Sequence, residues 1–250
     1  SFSEKDNYLV INGIKTSYFI DNYSVIYYVY NPNVTYYEDN YSYINNVAVE
    51  KYSTGDYVLL LNNDTEVITP NWLEIMLGYA SLDDIGTVGV KLYFPDDTIQ
   101  HAGIIMGKGG LAGHARYEYP RYSFSRQWEL KVPYNVSGCT AACLMISKKK
   151  FFEVGMLEEK LQVAFNDVDF NLKVLKAGYR NIFLPNVELY HYESKSRGLD
   201  NTKEKQKRFM QEWQFMEDKW GSSIKKDDFY NENFSMIYDY VLDNKEVEND

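Results

Sequence analysis

A disulfide framework, a membrane span and a basic surface are all missing from this sequence. Among its 250 residues are only two cysteines, Cys139 and Cys143, which are too few and too close together for the disulfide framework of a small secreted domain. No uninterrupted apolar run is long enough to span a membrane, and no secretory signal is visible. The formal net charge of -10 would repel a phosphate backbone, so we expect no nucleic-acid partner.

The sequence does contain enough apolar material for one sizeable core. Apolar residues make up 45% of the chain, and we expect a single domain over residues 1–250. Strand and helix patterns alternate, which predicts an α/β fold with a mixed, mainly parallel sheet flanked by helices. Between the strands predicted at 8–11 and 25–30, only a short helix or a loop is expected. Further helices are predicted from Asn40, after Thr69, near Asn166 and around Trp213.

The chain is organised around residues 57–67, where an apolar run leads directly into Asn62-Asn63-Asp64. So short a run before an acidic turn predicts a strand buried on both faces, and ligands of open α/β sheets bind at such carboxyl ends. Asn and Asp also favour ordinary turns, so a plain polar turn is an alternative here. In the functional interpretation, Asp64 with Asn62 beside it offers hard oxygen ligands to Mg²⁺ or Mn²⁺ carrying a substrate diphosphate.

Three later stretches carry further candidate residues. The segment Asn166-Asp167-Val168-Asp169 lies at a predicted helix start, where the helix dipole alone would also favour acidic residues. His191 ends a strand pattern, although a lone histidine is more often structural than a ligand. The long segment at 107–133 either forms a surface lid or shapes a sugar-acceptor cleft. The cleft would use His114, Arg116, Arg121 and Trp128.

Taken together and in order, these stretches resemble the family 2 glycosyltransferases, which have the GT-A fold. The resemblance is greatest to the branch that builds bacterial surface polysaccharides such as rhamnose-containing glycans and O-antigens. It covers the chain from about Asn40 onward, and the ordered set of motifs is specific although each motif alone is weak. The motifs are Gly55-Asp56-Tyr57-Val58-Leu59-Leu60-Leu61-Asn62-Asn63-Asp64-Thr65-Glu66-Val67, Thr98-Ile99-Gln100-His101-Ala102-Gly103, Thr140-Ala141-Ala142-Cys143-Leu144, Val163-Ala164-Phe165-Asn166-Asp167-Val168-Asp169-Phe170, Ala177-Gly178-Tyr179-Arg180-Asn181, Leu189-Tyr190-His191-Tyr192-Glu193-Ser194 with Ser196-Arg197-Gly198, and Asp228-Phe229-Tyr230-Asn231-Glu232-Asn233.

The resemblance implies roles for the candidate residues. Because Asn62-Asn63-Asp64 stands at the family's Asp-x-Asp signature, Asp64 would bind the metal that bridges the donor diphosphate. Asn62 and Asn63 would then lie beside the donor. Asp167 stands at the family's catalytic base, and His191 stands where a late histidine completes the metal site.

The front of the chain departs from the family pattern, because the first strand and helix of the nucleotide-binding part have no counterpart. Residues 1–55 are therefore expected to be a reduced nucleotide-binding part, followed by a metal and catalytic part at 56–200 and a C-terminal helix and tail at 201–250. Asn46 lies where the family places a polar residue near the donor, and Asn12 takes the place of a nucleotide-binding aspartate. We expect residues 1–30 to form a reduced sheet edge that other domains or subunits complete.

The function implied by the resemblance is that of an inverting glycosyltransferase with Mn²⁺ or Mg²⁺ as its cofactor. It would move a sugar from a nucleotide-sugar donor to a glycan or lipid-linked acceptor in surface polysaccharide synthesis. Two alternatives stay open: a non-catalytic sugar- or nucleotide-binding module, including a fragment of a longer glycosyltransferase, and another metal-dependent phosphate chemistry such as nucleotidyl transfer. A cytoplasmic location is expected, with peripheral association at the inner face of the membrane as a further expectation.

Overall fold

A computed structural model describes residues 40–121, 130–192 and 202–243, together with the backbone of four strands nearer the start of the chain. The strands are β1 (Phe2–Ser3), β2 (Tyr8–Ile11), β3 (Ile14–Ile20), β4 (Tyr23–Tyr28), β5 (Tyr57–Asn62), β6 (Thr65–Val67), β7 (Ile85–Tyr93), β8 (Ile99–His101), β9 (Ile104–Met106), β10 (Ala112–His114), β11 (Tyr134–Val136), β12 (Cys143–Ser147) and β13 (Arg180–His191). The helices are α1 (Tyr41–Tyr52), α2 (Trp72–Ala80), α3 (Lys148–Glu153), α4 (Asn166–Lys176) and α5 (Lys203–Trp220), with short 3-10 helices at Lys108–Gly110 and Gly221–Ile224.

The strands form an eleven-stranded mixed sheet in the order β1-β2-β3-β4-β5-β12-β7-β13-β11, with β6 beside β13 and β8 beside β7. The predicted α/β fold with a mixed, helix-flanked sheet is confirmed. In the described strands, parallel pairing occurs at β4 with β5 and at β7 with β13, and the other pairings are antiparallel. The sheet is therefore less parallel than expected, because β12 inserts antiparallel between β5 and β7 and the front strands join as hairpins.

The front of the chain forms an antiparallel meander of β1 to β4 at one edge of the sheet. The predicted strand at 8–11 is confirmed, and the second strand lies at 23–28. The expectation of a short helix or loop between them is wrong, because residues 14–20 form β3. Aromatic and β-branched residues dominate that stretch, and they favour a strand. Asn12 lies outside the described residues, so its role and the domain boundaries at 55 and 200 stay predictions.

Helices cover both faces of the central sheet, as the alternation of buried residues along β5 requires. Val58 and Leu60 point into one core layer, which also contains Val49 of α1 and Phe170 of α4. Leu59 and Leu61 point into the opposite layer, which is closed by Met76 and Ala80 of α2. Every residue of β7 is buried, so the middle of the sheet is sealed from water on both sides. Within the described part of the chain, no helix is both long and apolar enough to cross a membrane.

Helix starts and ends follow the local sequence. The Asn40 side chain caps α1 by accepting a hydrogen bond from the Tyr43 backbone N–H, 2.9 Å away. The helix predicted after Thr69 begins at Trp72, and the one predicted near Asn166 begins at that residue. Gly178, just after α4, has a φ of 89°, a backbone conformation that glycine adopts without strain.

Close packing between β7 and the segment that precedes β12 gives a stability prediction. A Cβ at Gly89 would overlap the side chain of the fully buried Cys139. We expect Gly89→Ala to lower the free energy of unfolding by about 1–3 kcal/mol, because the core cannot absorb an added methyl group there. Urea denaturation measures the change.

The matched control is Gly78→Ala on the exposed side of α2, where an added Cβ meets nothing within 4 Å. A helical alanine there should raise the free energy of unfolding by about 0.5–1 kcal/mol. Equal effects of the two substitutions would contradict the packing described for β7.

Candidate active site

The acidic turn and the late histidine meet at one edge of the sheet. Residues 63–64 form the turn between β5 and β6, and β6 pairs antiparallel with the end of β13, so that Thr65 lies opposite His191. A backbone hydrogen bond of 2.8 Å from Tyr192 N–H to the Asp64 carbonyl extends this pairing. As a result, Asp64 Oδ1 lies 3.1 Å from His191 Nε2. Two residues 127 positions apart in the chain (191 minus 64) are thus brought into contact.

The tautomer of His191 follows from its other neighbour. The Gln100 side-chain oxygen lies 2.6 Å from His191 Nδ1. An amide oxygen only accepts, so Nδ1 carries a proton, and in the neutral form of the ring Nε2 is an acceptor. The Asn62 amide nitrogen donates to that Nε2 at 3.1 Å. In the neutral form of the ring, Nε2 and the Asp64 carboxylate are neighbouring acceptors, and a cation that takes the place of the Asn62 donor could bind both.

The separation of these two atoms fits a divalent ion. Two ligands at right angles on one Mg²⁺ or Mn²⁺, each about 2.1 Å from the ion, stand about 3.0 Å apart. A ligating histidine normally donates its second ring N–H to an oxygen, as His191 does to Gln100. Across the described ranges, no cluster of three or more His, Cys, Asp or Glu side chains suits a metal. The pair would thus need oxygen ligands from substrate and water.

Asp167 occupies the first turn of α4, half-buried, with its carboxylate held by two backbone N–H groups. Val168 N–H donates to Oδ1 at 2.8 Å, and Ala141 N–H donates to Oδ2 at 3.3 Å. Burial, and secondarily the negative charge of Asp167, raise the pKa of Tyr41, whose hydroxyl donates to the Ala141 carbonyl at 3.0 Å. The two donors fix the position of the Asp167 carboxylate at the start of α4.

Asp169, the second acid of the motif that contains Asp167, binds residues of α4 and α5. Asp169 is fully buried, and its Oδ1 accepts from Trp220 Nε1 at 2.8 Å and lies 2.7 Å from Lys219 Nζ. Lys173 Nζ approaches the other oxygen at 3.4 Å. This carboxylate therefore ties α4 to the end of α5, which leaves Asp167 as the acid placed for chemistry.

Residues 140–142, immediately before β12, connect the two halves of the site. Asn62 N–H donates to the Ala142 carbonyl at 2.9 Å, which fixes the end of β5 against this segment. Ala141 N–H reaches Asp167, as described above, and Thr140 N–H donates to His101 Nε2 at 3.3 Å. Three successive residues of one segment thus bind His101, Asp167 and Asn62, and Asn62 in turn contacts His191.

Under this segment the buried His101 contacts the half-buried His114, and this contact was not predicted from the sequence. Because His101 Nε2 accepts from Thr140, its Nδ1 carries the proton and donates to His114 Nδ1 at 2.7 Å. Burial, then the proximity of His114 and of His191, hold the pKa of His101 well below its ordinary value of 6.5. His101 belongs to one of the motifs of the resemblance, but only its contacts with Thr140 and His114 show that it supports the segment at 140–142.

The remaining candidates take other positions. Asn63 is exposed in the turn after β5. Asn46 is buried with its amide bound to the backbone of Leu157, its Nδ2 donating to the carbonyl at 2.9 Å and its Oδ1 accepting from the N–H at 3.0 Å. Arg116 is buried with its guanidinium 4.0 Å from the centre of the Tyr240 ring. Arg121 binds Asp97 at 3.0 Å and Glu188 at 2.8 Å, and Trp128 lies outside the described residues.

Among the known proteins with similar sequences, two are named for O-antigen biosynthesis and for rhamnosyl transfer. No family model matches the chain. Uncharacterized protein y4gI of Sinorhizobium fredii is 46% identical over 205 residues, which are 81% of this chain and 22% of that protein. O-antigen biosynthesis protein RfbC of Myxococcus xanthus is 36% identical over 162 residues, 64% of this chain and 13% of that protein. N-acetylglucosaminyl-diphospho-decaprenol L-rhamnosyltransferase of Mycobacterium tuberculosis is 26% identical over 153 residues, 58% of this chain and 50% of that protein. The resemblance to the family 2 glycosyltransferases is confirmed.

The chain covers 22%, 13% and 50% of the lengths of these three relatives, so it spans only part of each. Its fold matches the crystal structure of GalNAc-T7 with UDP, GalNAc and Mn²⁺, with a TM-score of 0.56 and 14% identity. The match covers 75% of this chain and 36% of that one. The GT-A fold predicted from the motifs is thereby confirmed.

The lowered pKa of His101 predicts how the stability of the fold depends on pH. Below about pH 6.5 the unfolded chain binds a proton at this histidine and the folded chain does not, so folding stability falls by up to about 1.4 kcal/mol per pH unit. We expect His101→Gln to be less stable than the wild type near neutrality but to lose less stability on acidification. Urea denaturation between about pH 7.5 and 5.5 measures both slopes. Parallel slopes for the two proteins would contradict a neutral, buried His101.

Proposed function

We propose that the chain is the catalytic domain of an inverting glycosyltransferase that uses Mn²⁺ or Mg²⁺. It moves a sugar from a nucleotide-sugar donor to a glycan or lipid-linked acceptor in the synthesis of a surface polysaccharide. One observation carries the proposal: Asp64 and His191 lie 3.1 Å apart at the edge of the sheet, and Asn62, which contacts His191, is hydrogen-bonded to the segment that also holds Asp167. The contact pairs an oxygen ligand and a nitrogen ligand beside a candidate base.

Asp64 and His191 are the residues that would hold the ion. Bound there, Mn²⁺ or Mg²⁺ supplies positive charge that stabilises the diphosphate as it leaves the sugar. Gln100 keeps the His191 ring in the tautomer that ligation needs, through the 2.6 Å contact to Nδ1. Asn62 replaces the first acid of the family signature, which lowers the negative charge at the site by one and keeps an amide beside His191. Asn63, exposed in the same turn, is placed to meet the donor.

Asp167 is proposed as the general base. An acceptor hydroxyl attacks the anomeric carbon from the face opposite the diphosphate, and Asp167 takes the hydroxyl proton as the new C–O bond forms and the bond to the diphosphate breaks. A single displacement of this kind inverts the anomeric configuration. Asn46 acts from a distance in this proposal, because its hydrogen bonds hold the Leu157 backbone in the segment that leads to α4.

The substrate classes are inferred from the named relatives. One relative is named for O-antigen biosynthesis, and another for rhamnosyl transfer to a diphospho-decaprenol acceptor. The fold neighbour was crystallised with UDP and Mn²⁺. These names favour a nucleotide-sugar donor, hexosyl or rhamnosyl transfer, and an acceptor met at the cytoplasmic face of the membrane. Other domains or subunits would complete the nucleotide-binding part, which β1 to β4 supply only in reduced form.

An assay of sugar transfer against bare donor hydrolysis tests the proposal. Several nucleotide sugars are offered with Mn²⁺ or Mg²⁺ and lipid-linked or glycan acceptors, and one donor should support metal-dependent transfer with inversion. Donor binding without transfer or hydrolysis would instead identify a non-catalytic binding module. Release of pyrophosphate from a sugar phosphate and a nucleoside triphosphate would identify nucleotidyl transfer.

The first site prediction concerns the metal pair. Asp64→Asn keeps the size of the side chain but removes the charge that faces His191, so Mn²⁺ affinity in the presence of a nucleoside diphosphate should fall more than about 100-fold, beyond the loss typical of residues that only support a ligand. Isothermal titration calorimetry measures it. Glu74→Asn, an exposed acid of α2, is the control that should bind as the wild type does. Unchanged affinity in Asp64→Asn would remove this residue from the metal site.

The second site prediction concerns the base. Asp167→Asn should lower kcat by about 100- to 10,000-fold while donor and Mn²⁺ affinities stay close to those of the wild type, because only proton transfer is lost. Steady-state kinetics and donor titration separate the two effects. Asp83→Asn, an exposed acid beyond α2, makes the same chemical change away from the site. Full turnover by Asp167→Asn would assign the base to another residue.

A further inference from the structure

A carboxylate of α5 holds the backbone that leads into α4. Glu212 is 2% exposed, and its two oxygens accept hydrogen bonds from three successive backbone N–H groups. Gln162 and Val163 donate to Oε1 at 2.8 and 3.0 Å, and Ala164 donates to Oε2 at 3.0 Å. Arg208, one turn earlier in α5, places its Nε 3.9 Å from Oε1. Hydrogen bonds to an ionised carboxylate are about twice as strong as those between neutral groups. Glu212 therefore fixes the backbone at 162–164 firmly.

The segment at 162–164 ends three residues before the proposed base. Phe165, the next residue, has a φ of 61°, and Asn166 then begins α4. A bulky residue in the left-handed region is an outlier that persists only when its surroundings hold it there. The turn at Phe165 sets the direction in which α4 starts and thus where the Asp167 carboxylate points.

Residues of α1 and aromatic rings of α5 also contact the chain at 161–165. From α1, Tyr41 N–H donates to the Gln162 carbonyl at 2.8 Å, and Ser42 Oγ donates to the Leu161 carbonyl at 2.7 Å. The Phe165 ring packs against Phe209 and Trp213 of α5, with ring centres 5.3 and 5.8 Å apart. The Leu161 and Gln162 carbonyls are thus bound by α1, and the N–H groups at 162–164 are bound by Glu212. Removing Glu212 would leave three donors without their acceptor, whereas the α1 contacts would stay.

We propose that Glu212 is a positioning residue for the glycosyl transfer reaction, acting on Asp167 through the backbone at 162–165. This inference rests on the proposed function. Glu212 neither touches the Asp64 and His191 pair nor needs to touch substrate: it fixes the geometry from which Asp167 takes the proton. A displacement of about 1 Å in a group that reacts with substrate can cost about 100-fold in rate.

The variant Glu212→Gln tests the role, because it preserves shape but removes the charge and turns an amide NH₂ toward backbone donors. We expect kcat to fall about 10- to 100-fold, while the donor KM and Mn²⁺ affinity change by less than about twofold. Hydrogen exchange of the amides at 162–164 should become faster, and circular dichroism should stay that of the wild type. Glu217→Gln, an exposed acid on the same helix, should match the wild type in each measurement.

Rescue by an added anion separates positioning from general damage to the fold. In Glu212→Ala the three N–H groups face a space of carboxylate size, so acetate should restore part of kcat in a saturable manner, and chloride at equal ionic strength should not. The positioning role would be overturned by a wild-type kcat in Glu212→Gln. It would also be overturned if acetate restored none of the kcat lost in Glu212→Ala. If the wild type transfers no sugar from any donor, the proposed function fails instead, and the exchange measurement still decides whether Glu212 holds this segment.

Discussion

The antiparallel insertion of β12 between β5 and β7 is the constraint on which the site depends. Because β12 runs opposite to both neighbours, its first residues lie at the edge where β5 ends and where the parallel strands β7 and β13 also end. Residues 140–142 therefore reach the ends of several strands at once, and each of them makes a backbone hydrogen bond to a different part of the site. The position of β12 therefore links the ends of these strands to Asp167.

The electrostatics of the site follow from which polar groups are already satisfied. Asp169 and Glu212 are buried acids that bind other parts of the fold, Glu212 through hydrogen bonds to both oxygens and Asp169 through a hydrogen bond to Oδ1 and an ion pair of Oδ2 with Lys173. The Asp64 carboxylate lies 3.1 Å from His191 Nε2, and in the neutral ring these two acceptors suit a shared cation. The chain carries a net charge of -10, and a cation at this point would be needed before a diphosphate could approach.

Much of the fold and part of the site could be predicted from the sequence because their signals are local. The strand, acidic turn and helix around Asp64 lie within about 25 residues, and the motif at Asp167 marks its own helix start. The resemblance implied that His191 and Asp64 share one site, and the structure places them in contact. By contrast, β3 was missed because a strand flanked by tight turns looks like a connection. The contact of Asn46 with Leu157, 111 positions away, could not be predicted either, and a place for Asn46 near the donor stays a prediction.

Contacts between a side chain and a distant part of the chain could not be predicted from any local sequence pattern. Glu212 reads from the sequence as one more acid on an amphipathic helix, and only the fold shows that it meets residues 48 to 50 positions earlier. At the other end of α5, Lys219 and Trp220 bind Asp169, two residues beyond Asp167. The same helix thus holds the chain on both sides of the proposed base, before it through Glu212 and after it through Asp169. A base held from both sides has little freedom to move, and a fixed carboxylate at a helix N-terminus is what proton transfer from an incoming hydroxyl requires.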